Sequence, residues 1–208
     1  MSIGLDSSSR PAPAPASSGL YGPIKRALDV LGAATLLLAL SPLLLLVALA
    51  IRLDSPGPVL FRQRRIGRHS AEFIILKFRT MHTGTPDLAS HLVGPGSDRV
   101  TRLGRWLRRA SVDELPQLWN ILCGQMSLVG PRPALYNQDD LIAMRRAAGV
   151  DALQPGVTGW AQIHGRDDIP LQKKVNYDRY YLEHCSLTLD LWILVRTAFT
   201  LFSSRGVY

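Results

Sequence analysis

Between Val30 and Ile51 the chain carries 22 consecutive residues without a charge, and no other feature limits its fold as much. Lys25, Arg26 and Asp29 stand before this run, and Arg52 and Asp54 after it. As a helix it is roughly 33 Å long at about 1.5 Å per residue, enough to cross the hydrocarbon of a bilayer. It is apolar all round, so it belongs either in a membrane or wholly inside a protein. The latter fits badly, because a domain of the ~150 residues that follow rarely encloses so long a helix. A cleavable leader fits badly too. Ala48-Leu49-Ala50 resembles a cleavage site, but the apolar run is too long and a low-complexity tail precedes it.

Ser41-Pro42 lies in the middle of the run. Pro42 lacks a backbone donor and crowds the carbonyl of Leu38, which predicts a kink, and the Ser41 hydroxyl can serve the backbone group that is freed. A kinked segment either spans or turns back to the face it entered. Both flanks are basic, with Arg62, Arg64, Arg65 and Arg68 following, which places the bulk of the chain on the cytoplasmic side in either case.

The remaining organisation is read from composition shifts. Residues 1–20 are rich in Ser, Pro, Ala and Gly, too poor in large apolar groups to offset their ordering entropy, and are expected to be disordered. Residues 21–55 are expected to form the membrane segment and 56–208 a cytoplasmic domain. Val59-Leu60-Phe61, turn residues Gly67 to Ser70, and Phe73-Ile74-Ile75-Leu76 read as a β-hairpin. Residues 83–98 read as a loop. Arg99, Arg102, Arg105 and Arg108 recur every three residues beside Val100, Leu103, Trp106 and Leu107, the pattern of a helix with one basic and one apolar face. Such a helix suits an anionic membrane surface, a nucleic acid or plain solvent, and the nearby membrane segment favours the first. The apolar run Leu187 to Phe202 is interrupted by Asp190 and Arg196, so it is expected to lie against the domain or the membrane surface rather than span. Together these elements make an α-rich α+β fold with a small β-hairpin.

Lys and Arg total 24 against 16 Asp and Glu, a net charge of +8 that calls for an anionic partner: nucleic acid, anionic lipid or phosphorylated substrates. Cys123 and Cys185 show no disulfide or metal-ligand spacing and are expected to be buried thiols; no zinc-like His/Cys cluster occurs.

Three blocks carry candidate chemistry. In Ser111-Val112-Asp113-Glu114-Leu115-Pro116-Gln117 the serine and glutamate have capping-box spacing, but Pro116 moves the expected helix start towards Asp113. An Asp-Glu pair at the positive end of a helix, just after the arginines, either caps that helix or stays ionised to attack a phosphoryl centre and hold a divalent cation. In Ser127-Leu128-Val129-Gly130-Pro131-Arg132-Pro133, two prolines stiffen the backbone around Arg132, which suits a guanidinium that grips phosphate. The third block, Pro155 to Arg166, has three glycines that allow close backbone approach, with Trp160, Gln162 and Arg166 available to a base or pyrophosphate. It is not a Walker loop or a dinucleotide fingerprint.

In this order, Lys25-Arg26-Ala27-Leu28-Asp29, Ser41-Pro42, Lys77-Phe78-Arg79-Thr80-Met81, Ser111 to Asn120, Met126 to Pro133 and Pro155 to Gln162 resemble the bacterial sugar transferase family, the small monotopic phosphoglycosyl transferases. Asp178, Tyr180-Tyr181 and Asp190-Leu191 continue the match, which covers about residues 21–204. The resemblance implies a monotopic protein whose Ser41-Pro42 helix is re-entrant, with interfacial amphipathic helices, at the cytoplasmic face of the bacterial inner membrane. It implies Asp113 as nucleophile and Glu114 as its partner in catalysis and in magnesium binding. It further implies a UDP-sugar donor, undecaprenyl phosphate as acceptor, a covalent aspartyl-phosphosugar intermediate, anionic lipids as surroundings and no nucleic acid. Lys77, Arg79, Arg132, Arg166 and Gln162 are the residues expected to bind substrate. The chain resembles the minimal catalytic form of the family. The rival reading is a basic membrane-surface binding module without catalysis.

Overall fold

The computed structural model describes residues 19–85, 98–165 and 169–202. The uncharged run is the centre of α1 (Tyr21–Asp54), a single helix of 34 residues. Only 11% of its most apolar 18-residue window is buried inside the protein, with mean hydropathy 2.6, so α1 is not a core helix. Leu38, Leu45, Leu46 and Leu49 all face outward. The helix continues through Pro42, and the Ser41 hydroxyl donates to the Leu38 carbonyl at 2.8 Å, the acceptor that proline leaves without its usual donor.

Both ends of α1 are tied to the rest of the chain. Near its start, Lys25 Nζ donates to Asp190 Oδ2 at 2.8 Å, Arg26 donates to the carbonyls of Ile121 and Leu122, and Asp29 Oδ1 accepts from the Leu128 N–H. Ala33 then enters a core of Phe73, Ile75, Leu118, Ile121 and Met126. Near its end, Val47 and Ile51 pack with Phe78 and Leu107.

Two antiparallel strands, β1 (Leu60–Ile66) and β2 (Glu72–Phe78), form the expected hairpin, with Leu60 opposite Phe78 and Ile66 opposite Glu72. His69 and Ser70 turn it with φ of 53° and 59°. A second short strand pair is β3 (Ser127–Val129) with β5 (Gly156–Thr158), while β4 (Ala134–Leu135) joins the free side of β1. The β3–β5 pair is parallel, and Gly130, Gly156 and Gly159 meet at its end. A Cβ on Gly156 would stand 2.1 Å from the Gly130 nitrogen, and one on Gly159 2.1 Å from the Gly130 oxygen. Only glycine allows backbones that close.

The basic helix is α2 (Arg102–Arg109), capped by Thr101, whose side chain accepts from the Gly104 N–H at 2.9 Å. Its apolar face is filled by the protein itself, with Leu107 fully buried against α1 and β2, and it leaves Trp106 57% exposed beside Arg102, Arg105 and Arg109. The expected helix at Asp113 is displaced. Val112–Glu114 is a 3₁₀ turn entered through a left-handed Ser111 (φ 54°), and α3 (Gln117–Leu122) begins only after Pro116. The capping box is not formed, since the Ser111 side chain caps nothing. Along α3, Asn120 covers the open edge of β2, donating to the Ile74 carbonyl and accepting from the Leu76 N–H.

The chain finishes with α4 (Asp139–Ala147), α5 (Trp160–Ile163), α6 (Leu171–His184) and α7 (Leu187–Phe202). On α7, Leu187, Leu191, Val195 and Phe199 recur every fourth residue and are exposed, while Ile193 is fully buried and Asp190 nearly so. Cys185 is buried as expected, but Cys123 is exposed just past the end of α3. The tail and most of the 83–98 loop lie outside the described residues.

Candidate active site

The 3₁₀ turn sets Asp113 and Glu114 against the end of β2. Glu114 Oε1 accepts from Lys77 Nζ at 2.8 Å and from Arg132 Nη2 at 3.0 Å. Burial pushes the Glu114 carboxyl up, but Arg132 and Lys77 together outweigh it and hold the group well below the usual carboxylate range. Asp113 differs. It is 9% exposed and makes no hydrogen bond among the described residues. Burial, and then repulsion from Glu114, push its carboxyl up to about 6, against the attraction of Lys77, Arg108 and Arg132. One carboxylate is therefore committed to two cations. The other is uncommitted, ionised at neutral pH and surrounded by positive charge.

The backbone around Arg132 is fastened at three successive carbonyls. Pro131 O accepts from the Gly156 N–H at 2.9 Å, Arg132 O from Arg145 Nη1 at 2.8 Å, and Pro133 O from Arg65 Nη1 at 2.9 Å. Arg145 is itself held by Asp178, whose Oδ2 accepts from its Nε at 2.9 Å and Nη2 at 2.6 Å. The stiff turn expected from the two prolines is thus completed by partners from three distant parts of the chain.

Of the expected substrate-binding residues, Lys77 and Arg132 converge on the dyad. Arg79 does not: it is buried, and its guanidinium donates to Ser55 O at 2.6 Å, Ser55 Oγ at 2.9 Å and Pro56 O at 3.1 Å, so it clamps the link between α1 and β1. Gln162 lies on α5 with both amide atoms buried and without partners among the described residues. Arg166 lies outside the described residues.

Arg108 was not singled out by the sequence as a site residue. It turns inward from α2, donates to Thr80 Oγ1 at 2.9 Å, and adds charge beside Asp113. A three-residue repeat of arginines does not reveal which of them faces in.

Among the described residues no three His, Cys, Asp or Glu side chains cluster. Two adjacent carboxylates nevertheless suit Mg²⁺, which is commonly held by one or two of them with substrate phosphates completing its shell. Here both cations bond a single oxygen of Glu114, and Asp113 has no hydrogen-bond partner among the described residues to displace. The donor set therefore fits the ion.

Residues 20–204 match the family described as bacterial sugar transferase. The chain is 48% identical over 194 residues to the UDP-glucose:undecaprenyl-phosphate glucose-1-phosphate transferase of Caulobacter vibrioides, covering 88% of this chain and 72% of that protein. It is 47% identical over 197 residues to the undecaprenyl-phosphate glucose phosphotransferase of Komagataeibacter xylinus, covering 88% of this chain but only 37% of that protein. The uncharacterized sugar transferase EpsL of Bacillus subtilis is 41% identical over 184 residues, with 88% and 90% covered. The chain thus spans little more than a third of one of these relatives and most of the other two.

Proposed function

The chain belongs to the bacterial sugar transferase family, and from that premise we propose that it moves a sugar 1-phosphate from a UDP-sugar to undecaprenyl phosphate. The products are undecaprenyl diphosphosugar and UMP, the first membrane step of glycan assembly. The observation that carries this reading is the asymmetry of the dyad. Glu114 is spent on Lys77 and Arg132, and Asp113 is a carboxylate beside cations with no hydrogen bond among the described residues.

Two displacements follow from that arrangement. An Asp113 oxygen attacks the β-phosphorus of the donor, and the bond from that phosphorus to the bridging oxygen breaks, so UMP leaves with the electron pair. An oxygen of undecaprenyl phosphate then attacks the same phosphorus, the bond to Asp113 breaks, and the carboxylate is restored. Lys77, Arg108 and Arg132 concentrate the phosphates and offset the negative charge of an attack by one anion on another. Mg²⁺, held by Asp113 and Glu114, would supply further neutralisation of the diphosphate. Gln162 and Arg166 are assigned to donor binding.

UMP release from a panel headed by UDP-glucose, with purified protein, Mg²⁺ and undecaprenyl phosphate, tests the reading. One donor is expected to give UMP, and lipid-linked sugar only when undecaprenyl phosphate is present; chelation of the metal is expected to stop both. A hydrolase would give free sugar phosphate without the lipid, and a basic surface-binding module would release nothing.

The docking of α1 supports a re-entrant, monotopic arrangement at the cytoplasmic face of the inner membrane. Lys25, Arg26 and Asp29 at one end and Val47 and Ile51 at the other contact the same body of protein. A straight span would carry those ends to opposite faces of the bilayer, roughly 30 Å apart. The exposed α7 stripe and Trp106 then rest among anionic lipids. Cysteines introduced at Ser8 and Arg205, in a Cys123→Ser background because Cys123 is exposed, are expected to be shielded together from an impermeant thiol reagent in intact cells. Labelling of only one of them from outside would refute the topology.

A further inference from the structure

From Val112 to Leu122 the backbone is helical throughout. The 3₁₀ turn passes through Leu115 (φ −56°, ψ −34°) and Pro116 (φ −60°, ψ −17°) into α3. Residues three apart line up on its 3₁₀ part and three or four apart on its α part, and burial shows which of them turn inward. Asp113, Gln117 and Asn120 stand at that spacing and are 9%, 2% and 2% exposed, so a polar stripe runs along the buried side.

Its ends are accounted for. Asn120 Nδ2 donates to the Ile74 carbonyl and to Gln125 Oε1, both at 2.7 Å, and its Oδ1 accepts from the Leu76 N–H at 3.0 Å. Asp113 is the uncommitted carboxylate of the dyad. Between them the Gln117 amide nitrogen is buried and bonds nothing among the described residues. A buried donor without a partner is unfavourable and uncommon in native proteins, and one beside a reacting group is explained by what that group becomes.

We propose that Gln117 is a further catalytic residue, whose Nε2 donates to a non-bridging oxygen of the phosphoryl group during its transfer to and from Asp113. The proposal rests on Asp113 as nucleophile. Gln117 follows Asp113 by little more than one turn on the same helical run, both are buried, and a long amide side chain there has the reach to meet a phosphoryl group on that carboxylate. In the transition state charge spreads over the three equatorial oxygens of phosphorus. A donor with no ground-state bond to break is already placed to receive it, and being neutral it does not compete with Glu114 for Lys77 and Arg132.

The test is Gln117→Leu, with Gln117→Met as a second apolar replacement of similar volume. Each is read in a single-turnover burst of UMP from the donor, beside thermal unfolding and donor KM. Loss of one such donor commonly lowers turnover about 10²–10³-fold, and that loss is expected here with KM changed less than about threefold. The unfolding midpoint is expected to hold or rise, because an unpartnered amide has been exchanged for apolar atoms. A burst within about threefold of wild type in either folded variant would overturn the proposal, as would stability and activity falling together in both. Asp113→Asn is measured alongside. If it is inactive while Gln117→Leu keeps full activity, only the role of Gln117 fails; if it stays active, the nucleophile reading fails and this proposal with it.

Discussion

Asp113→Asn is expected to cut UMP release by ~10³-fold or more, the scale seen when a covalent nucleophile is removed, while leaving the fold intact. The substitution keeps size and shape, and no hydrogen bond is lost, because the Asp113 carboxylate makes none among the described residues. Burial already opposes its charge, so a neutral amide is not penalised on folding. Glu114→Gln is the contrasting case. It strips Lys77 and Arg132 of a shared anion at 2.8 and 3.0 Å, so both activity and thermal stability should fall. A donor labelled in its β-phosphate separates the two roles. Without acceptor, wild-type protein should retain label through an acyl phosphate, and the Asp113→Asn protein should retain none. Label persisting on the Asp113→Asn protein would place the nucleophile elsewhere.

Legibility from sequence followed the range of the interactions involved. Local patterns were enough for α1, for the hairpin turned at Gly67 to Ser70, and for the bond from Ser41 to the Leu38 carbonyl, since each is decided within a few residues. The dyad was also legible, because an Asp-Glu pair next to a proline and a run of arginines is a local oddity. Where the Arg79 guanidinium is held was not legible, because its bonds to Ser55 and Pro56 join residues 24 and 23 positions apart. The helix start expected near Asp113 lies instead after Pro116, because the left-handed φ of Ser111 and the position of Pro116 divide the run into a 3₁₀ turn and a later α-helix. Arg108 escaped because its repeat is uniform and its burial depends on how α2 meets β2. The β3–β5 pairing had no local signal at all, since three glycines spread over 30 residues mark close approach but not which backbone approaches which.

The largest stability effect is expected where the site is braced from behind. Arg145 reaches the Arg132 carbonyl at 2.8 Å only while Asp178, 1% exposed, grips its Nε and Nη2. Asp178→Asn leaves a buried guanidinium without its counter-charge, a loss of about 3–5 kcal/mol when one partner of a buried pair is removed. Against total stabilities of about 5–15 kcal/mol that is a large share, and at ~2–4 °C per kcal/mol for a chain of this size Tm should fall by roughly 6–20 °C. Replacing both partners, Arg145→Met with Asp178→Leu, should recover much of that Tm, since a well-packed apolar pair commonly matches a buried ion pair. Activity should not return with it. The Arg132 carbonyl would still lack its donor, and the guanidinium that holds Glu114 would lose one of three backbone fastenings. The thermal midpoint and UMP release of the single and double variants, measured side by side, decide both points. An Asp178→Asn protein as stable as wild type would refute the energetic role of the pair. A double variant that recovers stability and full activity together would refute its role in positioning Arg132.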